Sequence, residues 1–251
     1  MCCWRSPPMP TRTCNRKEGK TLKNQITTLS RLGAYHRENG GENQDALCFR
    51  SGRRRLTITL ADGVSACREA KTGAKIASEA LAALFEKKGE VFLSFTPEDA
   101  ANLALSHVLY ELRQQAGAAG KPTEDYSSTL AGVLFDRKTR QLLYFSLGDS
   151  LILATGGGKC RILAAPADST HGCCVTTTQD AAAAVRVGRE DGAFLDHVML
   201  CSDGAWHLML EKDRFHPEVA ELLAAGDYDA LKTWLAARDG FDDCSFIAVK
   251  L

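Results

Sequence analysis

Four aspartates of this chain, Asp45, Asp62, Asp203 and Asp242, stand at or beside the ends of expected β-strands, each next to small or polar residues. Carboxylates at strand ends can converge on one point, and hard divalent ions such as Mg2+ and Mn2+ take oxygen ligands while keeping several waters. Two such ions about 4 Å apart can bridge and acidify a water for in-line attack on phosphorus. Taken singly, each aspartate also fits a plain turn, because pairs such as Asp62-Gly63 and Asp203-Gly204 are favoured turn formers. The residue types therefore offer metal-assisted hydrolysis without by themselves requiring it.

The elements that must position these carboxylates show in the hydrophobic pattern. Residues 56–60 alternate Leu-Thr-Ile-Thr-Leu, the pattern of a half-buried strand, and lead straight into Ala61-Asp62-Gly63. Over residues 69–85, Ala70, Ala74, Ala77, Leu81 and Leu84 recur at helical spacing and give a narrow face suited to close packing. A second helix starts with Thr96 as N-cap and Pro97 at its first position, carries Leu105, Val108, Leu109 and Leu112 on its apolar face, and ends at Gly117 and Gly120. Residues 130–135, 142–147, 151–154 and 160–163 read as strands joined by polar or glycine-rich turns such as Gly156-Gly157-Gly158, hence as antiparallel hairpins. After an irregular stretch, residues 184–187 and 197–201 read as strands. Residues 217–225 and 228–237, the latter capped by Asp227, read as helices, and 245–250 as a closing strand. Runs of strands interrupted by blocks of helix point to an α+β fold with helices layered on antiparallel sheet.

A chain of 251 residues, 45% hydrophobic, buries one substantial core and is too short for two comfortable ones. Basic and acidic residues are equal at 31 each, so no global charge draws the protein to nucleic acid or to an anionic membrane. Residues 1–24 read as a flexible basic N-terminal tail, with Pro7, Pro8, Pro10 and six basic residues against Glu18; residues 25–251 form the folded domain, with the balancing acidity. No apolar run reaches the roughly 20 residues of a membrane span, which makes the cytoplasm the expected compartment. The ten cysteines are scattered without C-x-x-C pairs and are expected to be reduced, mostly buried thiols.

Six short motifs follow one another between residues 33 and 251: Asn43-Gln44-Asp45-Ala46, Ala61-Asp62-Gly63-Val64, Ser127-Ser128-Thr129, Leu147-Gly148-Asp149-Ser150, Ser202-Asp203-Gly204 and Asp242-Asp243-Cys244-Ser245. In content and order they resemble the metal-dependent protein phosphatases of the phosphatase 2C type, and the spacing of Gly33, His36, Gly41 and Gln44-Asp45 resembles a bacterial branch of them. The resemblance implies a four-layer α-β-β-α sandwich with two central antiparallel sheets flanked by helices. It implies two Mn2+ or Mg2+ ions held by Asp45, Asp62, Asp203 and Asp242, directly or through water. Asp62 would bridge the ions, Gly63 would add its backbone carbonyl, and Asp125 would serve a third ion. Asp149 would be structural, and residues 164–190 would form a variable flap beside the site. The implied reaction is hydrolysis of phosphoserine or phosphothreonine by a metal-bridging water or hydroxide. The implied partners are phosphorylated proteins and a Ser/Thr kinase, with the enzyme a monomer that uses neither nucleic acid nor membrane.

The sequence departs from the family pattern at the phosphate grip. Many members carry an arginine five residues before the first aspartate, where this chain has Gly40. Arg37 and His36 are the two candidates to replace it, the first by paired guanidinium donors and the second as phosphate contact or proton donor, if the loop 36–42 folds back. Val64 stands where some members place a histidine. The alternative reading is a pseudophosphatase that binds phosphoproteins without turnover; its signature would be a missing ligand, and none of the four is missing. A serine-hydrolase elbow, a phosphate-binding glycine-lysine loop and a zinc-binding H-E-x-x-H helix are all lacking.

Overall fold

The structure, a computed structural model, describes residues 25–167, 174–212 and 214–251. The expected flexible tail, residues 1–24, lies outside the described residues, as do residues 168–173 of the expected flap. Two five-stranded sheets, antiparallel throughout, form the centre. In one, the order is β2 (Asp45–Ser51), β3 (Arg55–Asp62), β4 (Leu130–Asp136), β5 (Gln141–Leu147) and β8 (Arg186–Asp191). In the other it is β1 (Ile26–Arg31), β12 (Cys244–Lys250), β9 (His197–Cys201), β6 (Leu151–Gly156) and β7 (Lys159–Ala164), and a separate short ribbon pairs β10 (Leu210–Glu211) with β11 (Arg214–Phe215).

Three apolar layers explain why the sheets stack. Leu56, Ile58 and Leu60 of β3 meet Ile152, Val198, Leu200 and Ile247 between the two sheets. On the outer face of the first sheet, α2 (Ala70–Ser94) and α3 (Pro97–Ala119) bury Leu81, Phe85, Phe92, Leu105 and Leu112. On the outer face of the second, α4 (Asp203–Met209), α5 (Pro217–Ala225) and α6 (Tyr228–Ala236) bury Met209, Leu223, Leu231 and Leu235. Each such side chain stabilises the fold by roughly 1.5–3 kcal/mol relative to exposure. The result is the four-layer α-β-β-α sandwich. Among the described residues no helix is long and apolar enough to cross a membrane.

Local chemistry sets several boundaries as expected. Thr96 accepts the Asp99 N–H at 3.1 Å, Gly120 closes α3 in the left-handed region at φ 66°, and Asp227 caps α6 by accepting the Ala230 N–H at 2.9 Å. Elsewhere the structure differs. Strand β3 is buried on both faces and not half-buried, because β3 is an interior strand with the second sheet on one side and α2 on the other; Thr59 meets that helix by donating to the Ser78 carbonyl at 2.9 Å. Helix α2 runs on to Ser94, past the expected end at residue 85, with a non-helical residue at Lys88 beside Gly89. The strand expected at 184–187 begins at Arg186 and reaches Asp191, and a 3-10 turn takes up Ala181–Ala184, whose side chains lack the branching that favours a strand. The expected loop 36–42 is in part helical: α1 spans Ala34–Glu38.

Candidate metal centre and active site

The pairing of β2 with β3 sets Asp45 directly opposite Asp62 at one end of the first sheet. From the neighbouring strands β9 and β12 of the second sheet come Asp203, the first residue of α4, and Asp242, just before β12. Each sheet thus supplies two of the four aspartates, and the four meet at one end of the sandwich.

Short polar contacts fix the backbone on which they ride. The Asp45 N–H donates to Asn43 Oδ1 at 2.8 Å. Asp62 and Thr129 lock together, the Asp62 N–H donating to Thr129 Oγ1 at 3.0 Å and the Thr129 N–H to the Asp62 carbonyl at 2.8 Å. Asp203 and Asp242 each accept the next residue's N–H on their own Oδ1, at 2.6 and 2.8 Å. The Ser202 hydroxyl lies 3.1 Å from Asp45 Oδ2 and 3.2 Å from the Asp243 carbonyl, and it accepts the Ser245 N–H at 3.0 Å, so that one hydroxyl touches loops from both sheets. Gly63 packs directly on the start of α2: a Cβ there would stand 2.7 Å from the Ala70 carbonyl carbon and oxygen.

The electrostatics show how closely the carboxyls gather. Burial pushes Asp45 well above the usual carboxylate range, with Asp243 and Asp203 adding to the effect. Burial does the same to Asp62, helped by the charges of Asp45, Asp203 and Asp242. Asp203 is raised by burial, then by Asp242 and Asp149, and it lies within hydrogen-bond reach of Asp62. Asp45 Oδ1 is sealed from solvent and makes no hydrogen bond. Carboxyls crowded together out of water, one of them with a buried oxygen lacking a donor, are a ligand set whose mutual repulsion a hard divalent cation would relieve. The residues present fit the implied metal.

The other residues picked out by the sequence fall in different places. His36 is buried in α1, its Nδ1 2.9 Å from Asp243 Oδ2. Among the described residues, His36, Asp242 and Asp243 each offer a ligand atom within 4.8 Å of the others. Arg37 turns outward: its side chain is 54% exposed and its Nη2 lies 3.9 Å from Asp239 at the surface, so the structure does not bring it to the four aspartates. Asp125 sits in a 3-10 turn, Thr123–Tyr126, where its carbonyl accepts the Glu69 N–H at 3.0 Å; it is not among the main charges that raise the other carboxyls. Asp149, read from sequence as a structural turn residue, is close enough to Asp203 to affect its proton, and its carbonyl accepts from Trp206 Nε1 at 2.8 Å.

Sequence reading misses three contributors. Ser202 was visible only as a neighbour of Asp203. Thr176 and Thr177 gave no motif, yet Thr176 donates its N–H to the Ser128 carbonyl at 2.9 Å and Thr177 Oγ1 lies 2.5 Å from Ser127 Oγ. These contacts tie the middle of the expected flap to the Ser127-Ser128-Thr129 segment that holds Asp62.

Known proteins agree with this architecture. A bacterial serine phosphatase bearing an R161A mutation matches with a TM-score of 0.63 at 15% identity, over 90% of this chain and 97% of that one. Serine/threonine phosphatase Stp1 from Staphylococcus aureus gives 0.64 at 14%, over 96% and 99%. RsbX in complex with magnesium gives 0.56 at 15%, over 94% and 98%. At such identities the likeness is one of fold. Among curated proteins, none is similar enough in sequence to count as a match. The sequence profile of protein phosphatase 2C matches residues 32–238, a span that takes in Asp45, Asp62 and Asp203 and stops just short of Asp242. With most of the chain matched and the fold in agreement, the protein belongs to the protein phosphatase 2C family.

Proposed function

We propose that the protein is a metal-dependent phosphatase that removes phosphate from phosphoserine and phosphothreonine in proteins, using Mn2+ or Mg2+. The observation that carries this reading is the convergence of Asp45, Asp62, Asp203 and Asp242 from two sheets, with Asp45 Oδ1 buried and lacking a donor. Those four aspartates and the Gly63 carbonyl are the proposed ligands of two ions, with Asp125 at the periphery for a third. Ions held there would supply an acidified water and offset the charge of the phosphoryl oxygens.

The remaining work falls to the chain itself. Thr129 and Ser202 keep the Asp62 and Asp45 backbones and carboxyls aligned through the contacts described above. Arg37, exposed and facing outward beside Asp239, is the proposed contact for the substrate phosphate, by paired guanidinium donors that a rotation of its side chain would have to bring to the site. The substrates are phosphoproteins, which makes a Ser/Thr kinase the expected functional counterpart.

Hydrolysis of an aryl phosphate and of phosphoserine and phosphothreonine peptides, with Mn2+, with Mg2+ and with chelator, tests the reading. Turnover that needs the metal and disappears in Asp62→Asn and Asp203→Asn is the expected result. Metal binding without turnover on any of these substrates would move the protein to the pseudophosphatase reading.

A further inference from the structure

His36 and Asp243 differ from the four proposed ligands in that both are almost sealed, at 5% and 1% exposure. The Asp243 carboxylate accepts three hydrogen bonds. The Gly33 N–H donates to Oδ1 at 2.8 Å, while the Gln44 N–H at 2.7 Å and His36 Nδ1 at 2.9 Å both reach Oδ2. His36 Nε2 is buried without a hydrogen-bond partner, so the ring bonds through Nδ1 alone.

The placement of those donors gives the pair its meaning. Gln44 immediately precedes Asp45, which opens β2 in the first sheet, and Asp243 immediately follows Asp242, which precedes β12 in the second. Gly33 ends the link from β1 to α1 and is pressed against the same loop: a Cβ on it would lie 2.3 Å from the Asp242 carbonyl carbon. Gly41 closes over the other side, its Cβ position 3.2 Å from the His36 ring. The imidazole is therefore enclosed by its own chain and joined to a carboxylate that already holds two backbone donors.

We infer that His36 is a positioning residue, which through Asp243 sets the distance between Asp45 and Asp242 and so fixes the cage before an ion enters it. The inference rests on the reading of the four aspartates as a metal site. It assigns His36 neither to the substrate phosphate nor to protonation of the leaving group. Groups that orient ligands in this way typically govern metal affinity by about 10–100-fold.

The test is a calorimetric titration of Mn2+ into the wild type, His36→Ala and His36→Asn, with aryl phosphate hydrolysis followed in parallel across Mn2+ concentration. Asparagine can place its amide nitrogen near the Nδ1 position and restore the bond to Asp243, whereas alanine cannot. The expected result is a Kd for Mn2+ weakened about 10–100-fold in His36→Ala and close to wild type in His36→Asn, with the lost hydrolysis of the alanine variant recovered by added Mn2+. Wild-type Mn2+ affinity in His36→Ala would overturn the inference, as would a loss of turnover that saturating Mn2+ does not recover. Should His36→Ala fail to fold, the asparagine variant decides: near-native affinity supports the brace and weakened affinity sinks it. A wild-type protein that binds no Mn2+ would instead bring down the metal reading itself, and the inference with it.

Discussion

Asp45, Asp62 and Asp203 hold their protons above the usual carboxylate range because burial removes their water and because each lies beside the others. A raised pKa means that the folded protein binds more protons than the unfolded chain once the pH passes the ordinary aspartate value of about 3.9. The stability of the metal-free protein must then fall as the pH climbs from there through the folded values. Metal-free Asp62→Asn, which cannot ionise at that position, is expected to melt a few degrees above metal-free wild type at pH 7, with the gap closing as the pH is lowered toward 4. Equal melting temperatures at pH 7 in scanning calorimetry would contradict the crowding. Arg37 gives a second prediction at this scale. Its side chain lies 3.9 Å from exposed Asp239, and surface pairs of that kind contribute about 0–1 kcal/mol, so Arg37→Ala is expected to leave stability unchanged. If Arg37 contacts substrate phosphate, the variant raises KM for phosphopeptides several-fold; an unchanged KM removes it from the site.

Between residue and fold, the placement of the carboxylates depends on how closely helix and strand approach. Gly63 is one such close approach near the centre, since α2 begins where a Cβ would stand. Gly63→Ala is expected to cost about 1–3 kcal/mol through overpacking and to weaken Mn2+ binding, measured by denaturant unfolding and calorimetry; a variant as stable as wild type would show that α2 can yield. The same scale explains what was legible in the sequence. The strand before Asp62 and the capped starts of α3 and α6 follow from patterns a few residues long, and the structure bears them out. Short helices escaped: α1 and α4, at 5 and 7 residues, are too brief to show a helical period, and Ser202-Asp203-Gly204 reads as a turn although Asp203 opens a helix. The bond between His36 and Asp243 joins positions 207 apart, and no local pattern encodes such a contact. Which strands neighbour one another was equally hidden, because the order β1-β12-β9-β6-β7 is set by burial across the whole chain.

At the scale of the molecule, the proposed ligands are divided two and two between the sheets, so a bound ion would tie the halves of the sandwich together at one end. Ion binding at 100 times Kd adds about 2.7 kcal/mol to the folded state, which for a chain of this size corresponds to a rise in Tm of roughly 5–10 °C. Mn2+ is expected to produce that shift and a chelator to reverse it, with no shift in Asp203→Asn; a Tm indifferent to Mn2+ in the wild type would argue that the sheets are not linked through the site. The facing pair Asp45 and Asp62 has a further consequence. Like charges directly opposite one another disfavour their own strand pairing, and a slip of one residue would turn one of the two side chains to the other face of the sheet. A divalent ion held by both would reverse that preference. In this way an ion would act as a proofreader of the β2–β3 hairpin: a chain paired in the native register would gain the free energy of binding it, whereas a slipped chain, with one carboxyl turned away, would forgo that gain.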